Sequence, residues 1–181
     1  MNVIVQVGNA LAYAHAAGVV HRDIKPDNVL IGPYGEVLLL DWGLAKVWHR
    51  EGAPASAESG LPDLNIGVIM TNAGKLQGSV MYMSPQQIDR DPDIDFRSDI
   101  YSLGAVMYEA LTGHTPFTGQ VVRKILEDIR DKVPETPSYF GNIKVPKVLS
   151  ELAMSCLSKN PNDRPGSAEE VIRVIQHNWA S

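Results

Sequence analysis

The sequence predicts a mainly helical domain carrying one small β-hairpin. Apolar residues recur at helical spacing in successive stretches along most of the chain. One stretch, Asp99 to Thr112, contains Ile100, Leu103, Ala105, Val106, Met107, Ala110 and Leu111 and is apolar on nearly every face. A helix of that kind lies buried at the centre of its domain. Two short apolar runs, Val29 to Ile31 and Val37 to Leu40, are joined by Gly32-Pro33-Tyr34-Gly35, turn chemistry that reads as a tight hairpin. At 181 residues and 44% hydrophobic content, the chain suits one domain with a sizeable core.

Taken in order, the first element is a helix over about residues 2 to 17, with Val3, Val7, Leu11, Ala14 and His15 at helical spacing and Gly18 as its stop. This apolar start lacks the basic n-region of a secretory leader, since no Lys or Arg precedes Arg22. No run approaches the roughly 18 apolar residues that a membrane span needs, so no membrane segment is expected. Val19-Val20 leads into a polar loop at 21 to 28, and the hairpin follows. From Leu44 to about Gly78 the composition shifts to Gly, Ala, Pro, Ser and Asn, as in a long functional or disordered loop. Within it, Leu64 to Met70 is an apolar patch expected to dock or to form a short strand.

Order is expected again from Ser79. The buried helix over 99 to 112 is stopped by Gly113. Val121, Val122, Ile125, Leu126 and Ile129 predict an amphipathic helix, as do Val148, Leu149, Leu152, Ala153, Cys156 and Leu157. The last helix opens with the capping-box pattern Ser167-Ala168-Glu169-Glu170 and buries Val171, Ile172, Val174 and Ile175.

Net charge is −5, with Lys and Arg scattered, so no nucleic-acid partner is expected. Cys156 is the only cysteine and falls in an apolar helical pattern. It reads as a buried thiol, excludes an intrachain disulfide and fits a reducing, cytoplasmic location.

The chemistry concentrates in His21-Arg22-Asp23-Ile24-Lys25-Pro26-Asp27-Asn28 and Asp41-Trp42-Gly43, which flank the hairpin. A hairpin returns the chain close to its start, so Asp41 is expected near Asp23 and Asn28. Two carboxylates, an amide oxygen and the lysine Lys25 then share one small site. Such a group can hold Mg²⁺ and steer a phosphoryl group.

These two motifs resemble the catalytic and metal-binding loops of Hanks-type serine/threonine protein kinases. The resemblance continues in order along the chain. Gly78-Ser79-Val80-Met81-Tyr82-Met83-Ser84-Pro85-Gln86 is similar to the substrate-binding segment of that family. Ser98-Asp99-Ile100-Tyr101-Ser102-Leu103-Gly104 is similar to the segment whose Asp braces the catalytic loop, and Asn160 to Pro165 is similar to the late arginine motif. The Asp-Trp-Gly-Leu-Ala-Lys wording and the Pro/Ala-rich loop look bacterial. A lone His-x-Asp with a later Asp also fits small-molecule phosphotransferases, but the segment at 78 to 86 disfavours them.

The resemblance implies transfer of the ATP γ-phosphate to protein Ser or Thr hydroxyls. Asp23 matches the catalytic base and Lys25 the lysine that neutralises the transferring phosphate and so contacts ATP. Asn28 and Asp41 match the Mg²⁺ ligands at the nucleotide, and Leu30 the apolar side chain under adenine. His21 and Trp42 are expected to pack rather than to move protons. Arg22 matches either an activation-loop phosphate partner or a structural ion pair. Thr71, Ser59 and Ser56 are the loop's candidate phosphosites.

Three departures qualify the match. Gln86 stands where the family has a Glu paired with the arginine matched by Arg164, so a weakened tether is expected. Ser79 stands where the family has Thr, its hydroxyl expected to bridge Asp23 and Lys25. No Gly-rich phosphate loop, strand lysine or partner helix Glu is found in the sequence. The expected architecture is therefore a protein-kinase-like C-terminal lobe: the family's α+β fold lacking its N-terminal β lobe. Residues 1–181 form this one domain, with a catalytic loop at 21–28, an activation segment at 41–86 and a helical subdomain at 98–178. Little or no unassisted turnover is expected unless a missing N-terminal lobe or larger parent chain completes the site. The rival reading is a non-catalytic, kinase-derived binding or scaffold module, disfavoured because the catalytic Asp and both metal ligands are intact.

Overall fold

The computed structural model describes residues 1–48 and 79–179. The apolar patch Leu64 to Met70 and the candidate phosphosites Ser56, Ser59 and Thr71 lie outside the described residues. Helix α1 spans Asn2–Ala16 and buries Val7, Leu11 and Ala14 of the predicted stripe; Ile4 is buried where the spacing predicts Val3, and Val3 and His15 are half-buried. Gly18 follows with φ 74°, a left-handed turn in which a side chain is strained. Strand β1 (Val19–Val20) then enters the 21–28 loop, which closes in a 3₁₀ turn at Pro26–Asn28.

The predicted hairpin forms from β2 (Val29–Ile31) and β3 (Val37–Leu39), antiparallel, with Leu30 opposite Leu38. Gly32 N–H donates to the Glu36 carbonyl at 2.8 Å, and Gly35 turns the chain with φ 87°. Gln6 Nε2 donates to the Gly35 carbonyl at 3.0 Å and ties the turn to α1. The next strand corrects an expectation. The sequence places residues 46 and 47 in the long loop, but β4 (Lys46–Val47) pairs antiparallel with β1. Trp48 N–H also donates to the Gly18 carbonyl at 2.6 Å, so the chain after Asp-Trp-Gly is stitched to the entry of the 21–28 loop.

A short helix, α2 (Pro85–Ile88), opens on a capping box between Ser84 and Gln87. Helix α3 (Arg97–Thr112) is the axis of the domain and ends at Gly113 in the left-handed conformation. One apolar cluster on it includes Leu11, Ile100, Leu103, Leu149 and Ile175; a second includes Tyr82, Ile88, Tyr101, Tyr108 and Ile125. That is why its sequence is apolar on nearly every face. Helix α4 (Val122–Asp131) contributes Ile125 and Ile129 to the second cluster, with Val121 preceding it and exposed. Strands β5 (Tyr139–Phe140) and β6 (Ile143–Lys144) form a small hairpin that the sequence reading missed, although Gly141-Asn142 is a turn signal.

Helix α5 (Lys147–Cys156) packs on α3, and α6 (Ala168–Trp179) packs on α1 and α5. The α3–α5 approach is close: a Cβ on Gly104 would stand 2.4 Å from the Cβ of Cys156. Cys156 is fully buried, and burial pushes its thiol up to about 12, so it is inert. The box at the start of α6 forms by half. Ser167 Oγ accepts from Glu170 N–H at 3.2 Å, while the Glu170 carboxylate accepts from Gly166 N–H at 2.7 Å instead of the N-cap amide. No helix among the described residues is long and apolar enough to cross a membrane.

Candidate active site

The 21–28 loop is held from below by one buried carboxylate. Asp99, in the first turn of α3, is 0% exposed and accepts from His21 N–H and Arg22 N–H, each at 2.8 Å. His15 Nε2 lies 2.8 Å from the same Asp99 Oδ2 that receives His21, a contact the sequence reading did not find. A histidine one turn before a helix stop carries no pattern that marks it as a partner for a residue 84 positions away. His21 is itself fully buried. Its Nδ1 accepts from Asp23 N–H at 3.2 Å, so Nε2 carries the proton toward the Leu40 carbonyl at 3.0 Å. Trp42 meets His21 edge-on, with ring centroids 4.5 Å apart, and donates from Nε1 to the Leu39 carbonyl at 3.1 Å. Both side chains pack, as the sequence predicts.

Arg22 adopts φ 71°, a left-handed conformation that is costly for a long side chain. Burial lowers its pKa against the opposing attraction of Asp99, and its Nε is buried without a partner among the described residues. The strained residue immediately precedes Asp23.

At Asp23 the predicted group assembles. Lys25 Nζ donates to Asp23 Oδ2 at 2.6 Å, and Asn28 Nδ2 donates to the same oxygen at 3.0 Å and to the Asp23 carbonyl at 2.7 Å. With both amide protons turned toward Asp23, the Asn28 side-chain oxygen faces away from it as an available acceptor. Lys25 Nζ also donates to Ser79 Oγ at 3.1 Å. Ser79 therefore reaches Lys25 directly and Asp23 only through it, which corrects the expected bridge to both.

Asp41 stands across the hairpin. The Leu40 N–H donates to the Asn28 carbonyl at 2.8 Å, which extends the β2–β3 ladder by one bond and sets Asp41 beyond its end. Asp41 adopts φ 58° and is exposed, with its Oδ1 accepting from Gly43 N–H at 3.2 Å. The structure thus brings Asp23, Lys25 and Asn28 into contact and places Asp41 beside them without a direct bond. Among the described residues, no cluster of three or more His, Cys, Asp or Glu is arranged to hold a metal. The donor pair left is one carboxylate and one amide oxygen, a small hard-oxygen set that suits Mg²⁺, which keeps several other ligands.

Leu30 is 51% exposed and its cross-strand partner Leu38 is 53% exposed. Ile31 and Leu40 are exposed too, so apolar side chains face outward beside the polar group.

The segment from Ser79 to Gln86 is tied down on both flanks. Tyr82 Oη donates to Glu109 at 2.6 Å, and burial followed by that carboxylate pushes its pKa up. Arg164 is nearly buried and fully partnered. It donates to the Ser158 carbonyl, the Arg97 carbonyl and Gln86 Oε1, at 2.8, 2.8 and 2.7 Å. Burial lowers its pKa to about 10. The Gln86–Arg164 tether thus survives the exchange of Glu for Gln, with Gln86 Nε2 donating to the Lys159 carbonyl at 3.0 Å.

The structure thus assembles a braced loop carrying Asp23, a lysine against that aspartate and two oxygen donors near the end of a hairpin. The family model described as a protein kinase domain matches residues 1–180, and the chain belongs to that family. It is 39% identical to the serine/threonine-protein kinase PknD of Protochlamydia amoebophila over 98% of this chain and 18% of that protein. With PknL of Mycobacterium tuberculosis it shares 40% identity over 92% of this chain and 37% of the relative. With pkn3 of Myxococcus xanthus it shares 33% over 97% and 30%. The chain therefore spans less than two fifths of the length of these relatives, each named a serine/threonine-protein kinase.

Proposed function

We propose that this chain is the catalytic-loop lobe of a serine/threonine protein kinase and transfers the γ-phosphate of ATP to protein Ser or Thr hydroxyls. The observation that carries the reading is the Lys25–Asp23–Asn28 contact group with Asp41 beyond the adjoining end of the hairpin. Asp23 accepts the proton of the incoming hydroxyl as its oxygen bonds to the γ-phosphorus and the bond to the β,γ-bridging oxygen breaks, releasing ADP. Lys25, now against Asp23, offsets the charge of the phosphate in transfer. Asn28 and Asp41 are the residues to hold Mg²⁺, which neutralises phosphate charge when bound. Leu30, with Leu38 beside it, offers apolar surface to adenine. Arg22, strained and with Nε unpartnered among the described residues, is suited to receive an activation-loop phosphate.

In this reading residues 21–28 are the catalytic loop, 41–86 the activation segment and 98–178 the helical subdomain of a C-terminal lobe. The exposed apolar hairpin face then meets a second, nucleotide-covering lobe. That lobe is to come from a parent chain or a partner, since no Gly-rich loop or strand lysine is found in these residues. The lone buried thiol suits a reducing, cytoplasmic location.

The test is radiolabelled phosphate transfer to a generic protein substrate, by residues 1–181 alone and with the small lobe of a related bacterial kinase supplied. Little transfer alone, and transfer to Ser or Thr on addition of the lobe that Asp23→Asn and Asp41→Asn abolish, is the expected result. Robust transfer by residues 1–181 alone would overturn the one-sided site. Transfer indifferent to both substitutions, or none in either setting, would overturn the kinase reading.

A further inference from the structure

The peptide joining Arg22 to Asp23 is gripped on both edges. Its N–H, on Asp23, donates to His21 Nδ1 at 3.2 Å. Its carbonyl, on Arg22, accepts from Gln87 Nε2 at 2.6 Å. Gln87 comes from α2, on the substrate-side segment 65 residues away, and is 7% exposed. Its other amide atom is committed as well: Oε1 accepts from Ser84 N–H at 3.0 Å, while Gln87 N–H donates to Ser84 Oγ at 3.2 Å. One amide thus closes the capping box of α2 with its oxygen and holds the 21–28 loop with its nitrogen.

We infer that Gln87 is a positioning residue that sets the plane of the peptide preceding Asp23 and so couples the folding of the substrate-side segment to the aim of Asp23. The physical need is local. Arg22 sits at φ 71°, where an ordinary residue relaxes unless its surroundings over-determine it. Asp99 Oδ1 fixes the Arg22 N–H at 2.8 Å, but that bond lies on the peptide before Arg22 and leaves the following peptide free to rotate about ψ. The 3.2 Å bond from Asp23 N–H to His21 Nδ1 restrains that rotation from one edge, and the shorter Gln87 bond at 2.6 Å restrains it from the other. Because the Gln87 side chain is held in place by the Ser84 backbone N–H at its Oε1, displacement of α2 releases the peptide that aims Asp23, whereas loss of the Ser84 hydroxyl alone does not.

The inference rests on the kinase reading for its meaning, so its test separates the two. Gln87→Glu keeps the cap acceptor but replaces the donor with a carboxylate oxygen facing the Arg22 carbonyl. Ser84→Ala removes the cap hydroxyl and leaves the donor. The first readout is the backbone amide spectrum of the ¹⁵N-labelled 181-residue chain, which needs no turnover. Gln87→Glu is expected to shift the Asp23 and Arg22 amides while the Ser84 amide keeps its resonance; Ser84→Ala is expected to shift residues of α2 and leave Asp23 in place. The second readout is the lobe-supplemented transfer assay, where Gln87→Glu lowers kcat by about tenfold or more with KM for ATP nearly unchanged. Gln87→Met, which removes the donor and the cap acceptor together without adding charge, replaces Gln87→Glu if that variant does not fold, with the same expected Asp23 and Arg22 shifts and a Ser84 shift besides. Unmoved Asp23 and Arg22 amides in the donor-less variant, or equal movement in Ser84→Ala, would overturn the inference. Absent transfer by the unsubstituted protein would overturn the kinase reading and leave the amide result to decide the clamp.

Discussion

Asp99→Asn removes one of the two carboxylate oxygens on which the 21–28 loop rests. Oδ2 receives both His21 N–H and the His15 ring, and Oδ1 receives Arg22 N–H, all at 2.8 Å at a side chain with no exposure. The asparagine oxygen does best at the Oδ2 position, where it keeps two donors. Its NH₂ then faces the Arg22 N–H. That loses a bond to a charged acceptor, worth about 1.5–3 kcal/mol, and leaves a buried donor unpaired at about 1–3 kcal/mol more. The two bonds that remain lose their charge assistance. Together these cost roughly 2.5–6 kcal/mol, or a fall of about 5–24 °C in Tm for a chain of this size. If Asp99 acted only as an acid in the first turn of α3, its loss would remove just the helix-dipole term, about 0.3–1 kcal/mol. Urea unfolding followed by circular dichroism separates the two. A loss below about 1 kcal/mol would refute the claim that Asp99 supports the loop.

Gln86→Glu gives Arg164 a charged partner at the 2.7 Å contact but loses the donation to the Lys159 carbonyl. A net gain of up to about 1 kcal/mol is expected in thermal melts near neutral pH. Because Arg164 depresses the new carboxyl's folded pKa, the gain is lost as pH falls through it; no gain, or a loss, at neutral pH counts against the tether. Lys159 is lowered by burial, chiefly, and by Arg164 from 10.5 to about 8. Between about pH 8 and about pH 10 the unfolded chain therefore binds the extra proton and stability rises with pH from this group. Lys159→Met should flatten the rise measured by urea unfolding, and an unchanged slope would refute the assignment. Gly104→Ala drives a methyl into Cys156 at the α3–α5 crossing, where the Cβ distance is 2.4 Å, and should cost about 1–3 kcal/mol. An unchanged Tm would show that the helices separate freely.

Where one residue announces its own structure, the sequence was legible. The Gly32-Pro33-Tyr34-Gly35 turn, the all-round apolar run of α3 and the glycine stops at 18 and 113 depend on local chemistry, and each formed as expected. The Asp23–Lys25–Asn28 group followed because its members are five residues apart or fewer. What stayed hidden depends on partners far along the chain. The β1–β4 pair is two residues long on each side, too short for any period to show. His15 on Asp99 and Gln87 on Arg22 are single polar contacts across 84 and 65 residues, without a pattern of their own. Ser79 departs from expectation for a related reason: its neighbours indicate the site, but only the fold decides that the hydroxyl meets Lys25.

The central claim is that Asn28 and Asp41, across the end of the hairpin, hold a metal against a triphosphate that Asp23 and Lys25 face. Its most direct test is paramagnetic broadening by Mn²⁺ in ATP-containing samples of the ¹⁵N-labelled chain. The expected result is early loss of the Asn28 side-chain amide and Gly43 N–H signals, absent without ATP at low metal and suppressed by Asp41→Asn. Broadening that spares these two groups, or that persists unchanged in Asp41→Asn, would contradict the account.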